Sequence, residues 1–101
     1  VIPELLRKNW QLIQLPDRIG LPKAIKLLNG PLDLCHYDSD KSYAGRMWAY
    51  PRLWKALKTG GIFVSDDVGD NLGFFNFAEK IQVNPVIVAW NDKYIGILRK
   101  E

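Results

Sequence analysis

Two short apolar runs constrain this chain most. Leu32 to Tyr37, in "LDLCHYD", and Ile62 to Ser65, in "GIFVSDD", are rich in residues that suit strands, and an acidic residue stands where each run stops. About twenty-five residues of helical pattern separate them, too many for a hairpin and enough for a crossover helix. "IFVS" is apolar on both faces, which suits a parallel strand covered on both sides.

The flanking segments extend this pattern. "WQLIQL", from Trp10 to Leu15, alternates apolar and polar residues and predicts a half-buried strand. "PDRIGLP" predicts a turn. Pro22 then sits at a natural first helical position, "KAIKLL" supplies an apolar face, and Asn29-Gly30 ends the helix. Pro3 to Lys8 predicts a short helical turn. Ser42 caps a helix carrying Ala44, Met47 and Trp48 on one side, and Pro51 is expected to kink or split it. "RLWKALK" continues to a stop at Thr59-Gly60-Gly61.

After the polar loop Asp66 to Asn71, with Asp70 or Asn71 as cap, Phe74, Phe75, Ala78 and Ile81 fall at helical spacing, and Asn84-Pro85 closes that helix. "VIVAW", "NDK" and "YIGIL" predict a β-hairpin. The order strand, helix, strand, helix, strand, helix, hairpin predicts one α/β domain over residues 1–101, with parallel strands, right-handed crossovers and a last strand antiparallel to its partner.

Composition excludes several classes. With 48% apolar and 25% charged residues the chain is of an ordinary globular kind. The net charge of +3 is mild and its basic residues are scattered, which argues against nucleic acid as a partner. No apolar run reaches the ~20 residues of a membrane span. Cys35 is the only cysteine, so no internal disulfide forms, and a reducing, cytoplasmic setting is expected. The chain opens on Val1 rather than Met, which fits processing or an excerpt of something longer.

Ligands of open α/β sheets bind beyond the carboxyl ends of the strands. Asp38 stands at one such end, Asp66 and Asp67 at the next. If the strands are neighbours, ~5 Å apart, these carboxylates share one rim. Such a group repels itself, and a hard divalent cation such as Mg²⁺ relieves the repulsion. The alternative is that each Asp bonds local amides in its loop. His36, the only histidine, points to the same face as Leu34 and Asp38 and reads either as a hydrogen-bonded core residue or as a catalyst. Lys41 reads either as a solvated lysine or as a donor to an anion or a substrate hydroxyl. Trp48, Trp54, Phe74, Phe75 and Phe77 read as core rather than as a base-stacking platform.

Together, "DLCHYDSDKSY" and "LWKALKTGGIFVSDDV" resemble the C-terminal half of class I S-adenosylmethionine-dependent methyltransferases. The nearest group has a strand ending in an aspartate-glycine-x-histidine-serine-tyrosine motif and a Gly-Gly-initiated strand ending in an acidic pair. The resemblance spans about residues 10 to 100. It implies a partial Rossmann-like sheet in which "LDLCHYD" is the fourth strand and "GIFVSDD" the fifth, with one antiparallel strand in the final hairpin. It also implies S-adenosylmethionine as cofactor and a small-molecule hydroxyl as acceptor. By similarity to catechol O-methyltransferase-like enzymes, Asp38, Asp66 and Asp67 would hold a divalent metal such as Mg²⁺. Asp17 and Asp38 would lie toward the cofactor, and Lys41 with His36 would serve the proton transfer.

Two departures matter. The motif glycine and histidine are Ser39 and Lys41 here, and the Gly-rich first strand-turn and the acidic end of the second strand have no counterpart. The chain is therefore expected to be a fragment or truncated form, inactive alone. An unpaired edge on its fourth-strand equivalent is expected to be covered by self-association or by the N-terminal strand folding back on it. The alternative function is a non-catalytic α/β interaction module.

Overall fold

The structure is a computed structural model that describes residues 10–101. The turn expected at Pro3 to Lys8 lies outside the described residues. The elements are α1 (Asp17–Leu28), β1 (Leu32–Tyr37), α2 (Tyr43–Ala56), β2 (Leu57–Ser65), α3 (Gly73–Lys80), β3 (Val86–Trp90) and β4 (Lys93–Arg99). The strands form one four-stranded mixed sheet in the order β1-β2-β4-β3. β1 and β2 are parallel, while β4 runs antiparallel to both β2 and β3. The α/β class and the antiparallel last strand are as expected, and among the described residues β1 and β2 are the one directly paired parallel couple.

The hairpin follows from its turn. Asn91 and Asp92 have φ of 47° and 60°, the left-handed pair that a two-residue turn between twisted strands requires. Ser42 caps α2, its hydroxyl accepting from the Gly45 amide at 3.0 Å. The helix ends where Lys100 Nζ donates to the carbonyls of Trp54 and Leu57, each at 2.7 Å, satisfying groups left open at a helix C-terminus.

One face of the sheet carries the core. Cys35, Tyr37, Phe63 and Leu98 point into it and meet Tyr50 and Leu53 of α2 and Phe74 and Phe77 of α3. Tyr50 is the centre of this layer. It makes edge-on contacts with Tyr37, Phe63 and Phe74, centroids 5.2 to 6.2 Å apart. α1 docks on α2 at Trp48, whose ring centroid lies 5.1 Å from the Arg18 guanidinium and 4.2 Å from that of Arg52.

Several expectations are corrected. Residues 10–15 form no strand, and Trp10, Leu12 and Leu15 are exposed. Among the described residues β1 pairs only with β2, so residues 10–15 leave its outer edge unpaired. "PDRIGLP" is not a turn but the first part of α1, with Asp17 in its first turn and Pro22 inside. Pro51 does not split α2, which runs unbroken to Ala56; beside it the Arg52 guanidinium donates to the Trp48 carbonyl at 2.7 Å. The buried side of α2 is Gly45, Arg46, Ala49, Tyr50 and Leu53 rather than Ala44, Met47 and Trp48.

Thr59-Gly60-Gly61 is part of β2, not a helix stop. Gly60 has a φ of 86°, and the register against β1 slips between Leu32 and Leu34, so the glycines serve an irregular strand start. On α3, Phe77 takes the core place expected of Phe75, which is exposed. Among the described residues the sheet's second face is uncovered, contrary to the two-sided burial expected of "IFVS". Leu34, Val86, Val88 and Trp90 are exposed there, and Ile62, Val64, Ile95 and Ile97 are half-buried between them.

Candidate functional site

The candidate site is the rim at the carboxyl ends of β1 and β2. Leu34 to Tyr37 pair in register with Ile62 to Ser65, and the Asp66 amide then donates to the Tyr37 carbonyl at 3.0 Å. Two parallel strands joined by a crossover helix release their chains at the same end. Asp38 and the Asp66-Asp67 pair therefore leave the sheet side by side.

Lys41 lies between the two groups. Its Nζ donates to Asp38 Oδ1 at 3.0 Å and to Asp67 Oδ2. The Lys41 bond holds the Asp38 and Asp67 carboxyls below the usual carboxylate range. Reciprocally, the bonds to Asp67 and then Asp38 push the Lys41 ammonium above its ordinary value. An ammonium so held keeps its proton near neutrality and offers hydrogen bonds; it does not serve as a base.

Asp66 turns the other way. Its Oδ1 lies 3.2 Å from His36 Nε2, and the His36 side chain is 55% exposed, so this histidine is not a core residue. A carboxylate on one ring nitrogen fixes the tautomer and leaves the other nitrogen to face solvent or a ligand. Asp17, at the start of α1, reaches the same end: its Oδ2 accepts from Ser39 Oγ at 2.6 Å. Asp17, His36, Asp38 and Ser39 line a cavity of about 260 Å³ with apolar walls from Leu21 and Leu53. That is somewhat below the ~300–1,000 Å³ of sites that enclose a whole small molecule, so it would seat one part of a ligand. A larger cavity of about 530 Å³, between Trp54, Val83 and Arg99, lies at the other end of β2 and holds none of these groups.

Beneath the rim is a residue that sequence reasoning missed. Arg46 is fully buried. Its Nη2 donates to the Asp67 carbonyl at 3.0 Å and its Nη1 to Tyr50 Oη at 3.3 Å, while Nε has no partner among the described residues. Tyr50 Oη and Ser65 Oγ, 2.6 Å apart, continue the chain into β2. Asp67 itself has a φ of 52°, a left-handed conformation uncommon outside glycine. The Arg46 bond and the Val68 amide, which donates to the Tyr94 carbonyl at 2.9 Å, hold the backbone there. The signal for Arg46 was its position one helical turn before Tyr50.

The sequence-derived site residues thus divide. Lys41, Asp38 and Asp67 form one bonded group, His36 and Asp66 a second, and Asp17 with Ser39 a third, all at one end of the sheet. Among the described residues no three metal-ligating side chains converge as a cation site. The donors expected for Mg²⁺ do not fit it as arranged, because Asp38 and Asp67 are spanned by an ammonium and Asp66 is engaged by His36. Comparison of the chain with family models, with curated proteins and with solved structures gave no match.

Proposed function

We propose that the chain is the C-terminal half of an S-adenosylmethionine-dependent O-methyltransferase fold, with the rim as its cofactor and acceptor side. One observation carries the reading. β1 and β2 are adjacent and parallel, each ends in an acidic residue at one rim, and the hairpin's last strand lies antiparallel beside β2. The neighbouring parallel strands with acidic ends and the antiparallel last strand are as expected from "LDLCHYD", "GIFVSDD" and the hairpin; the place of that strand beside β2 comes from the fold.

On this reading Asp17 and Asp38 hydrogen-bond the cofactor, with Leu21 and Leu53 as apolar walls for its ring. The cofactor supplies an activated methyl group. Lys41 orients the acceptor hydroxyl by donating to its oxygen, and His36, steadied by Asp66, takes the hydroxyl proton. The buried Cys35 is in keeping with a reducing compartment, and among the described residues no helix is long and apolar enough to cross a membrane.

The second reading is a non-catalytic interaction module. The observation favouring it is the uncovered second face of the sheet, with Leu34, Val86 and Trp90 each at least 60% exposed. Calorimetry with S-adenosylhomocysteine separates the two. Binding that weakens about tenfold in Asp38→Asn supports the methyltransferase reading. Silence with and without Mg²⁺ favours the module.

A further inference from the structure

The geometry points to Lys41 as the resident cation of the rim, standing where a divalent metal would otherwise be needed. The inference rests on the proposed function only for its consequence, that an acceptor hydroxyl is oriented by an ammonium rather than by a metal.

Parallel strands bring Asp38 and Asp67 close enough for one ammonium to bond both. Left alone, these carboxylates would repel, and either protonation or a cation must relieve them. A Mg²⁺ ion would need carboxylate oxygens at ~2.1 Å in near-octahedral geometry. The gap cannot hold both that ion and Lys41 Nζ. The Lys41 side chain is 44% exposed, yet the residue that carries it is held in place. Its backbone carbonyl accepts from Asn71 Nδ2 at 2.7 Å, which ties the loop after β1 to the loop after β2. On the other side, Arg46 fixes the Asp67 carbonyl from below. Both ends of the bridge are therefore anchored by bonds independent of the bridge. Asp66, the remaining carboxylate, is turned to His36 and does not face the gap. Arg46, buried beneath, adds a second positive charge that disfavours a further cation.

The test is a Mn²⁺ titration of the full chain, read by paramagnetic broadening of backbone amide signals. The wild type and Lys41→Arg should show no broadening centred on residues 38 and 66–67. Lys41→Met, which keeps the stem and removes the charge, should show it there, with affinity at least about tenfold above wild type. Saturable broadening centred on residues 38 and 66–67 in the wild type would by itself overturn the inference, and that outcome can be read even if the variant folds poorly. A folded Lys41→Met as silent as wild type would overturn it too, because the gap would then not be a cation position. None of these outcomes depends on methyl transfer. A chain that fails to bind S-adenosylhomocysteine yet gains Mn²⁺ affinity in Lys41→Met removes the functional reading and leaves this one standing.

Discussion

The amide of Asp66 donates to the carbonyl of Tyr37 at 3.0 Å, one step beyond the last paired residues of β1 and β2. This bond carries the parallel ladder up to the point where both chains leave the sheet. It is why acidic residues nearly thirty positions apart share one rim, and the pH response of the fold should register it. Asp38 and Asp67 have folded-state pKa values lowered by Lys41, so their bridge contributes stability above the ordinary carboxylate value of 3.8 and loses it as pH falls through the depressed values. The Lys41 value is raised, so its contribution is complete below the ordinary 10.5 and is lost only as pH rises beyond it. Thermal melts of wild type and Asp67→Asn should therefore differ by a constant amount between those limits and converge in acid below about pH 3.8. A gap that widens on acidification would contradict this.

The Tyr50 hydroxyl is placed to fail conspicuously. Its removal in Tyr50→Phe leaves Ser65 Oγ, fully buried, without its partner at 2.6 Å, and strips one bond from Arg46. An unsatisfied buried hydroxyl costs about 1–3 kcal/mol. Urea unfolding should show a loss in that range. Tyr50→Phe combined with Ser65→Ala should lose less than the sum of the two single changes, because they share one bond.

Gly96 is required by packing, not by backbone conformation. A Cβ there would enter the ring of Phe74, which is fully buried. Gly96→Ala should cost about 1–3 kcal/mol by overpacking. Adding Phe74→Leu, which vacates the ring volume, should recover part of it in the same urea experiment.

What the sequence disclosed was local. "LDLCHYD", "IFVS", the Ser42 cap and the Asn91-Asp92 turn each carry their own stereochemical reason, and each is found in place. The two acidic strand ends could be located because strand polarity and one crossover determine them. Failures came where a non-local partner decides. "WQLIQL" alternates like a strand but pairs with none of the described strands, although the outer edge of β1 is open, and Pro51 lies in a helix whose packing against β2 and α3 outweighs the proline penalty. Arg46 breaks the apolar pattern of its own buried face, and only the loop above it explains why. The Lys41 bridge was equally illegible, because Asp38 and Lys41 are near in sequence but Asp67 is not.

The uncovered sheet face should drive self-association of the isolated chain. Val86, Val88 and Trp90 of the outer strand are exposed beside the half-buried Ile95 and Ile97. Contiguous apolar patches beyond a few hundred Å² are rare on monomers, and a second copy would cover this one. Sedimentation velocity should show the weight-average coefficient rising with concentration, and Val88→Lys, on the exposed edge strand, should flatten that rise. A monomer at every concentration would refute the prediction.

Neighbouring parallel strands should act as one ligand-binding rim built from Asp17, His36, Asp38 and the Asp66-Asp67 pair. Amide chemical-shift mapping during titration with S-adenosylhomocysteine checks this. Saturable shifts are expected at residues 17, 36–39 and 66–67, with little change around the cavity near Trp54 and Val83. Shifts centred on that other cavity, or none at millimolar ligand, would rule out the shared rim.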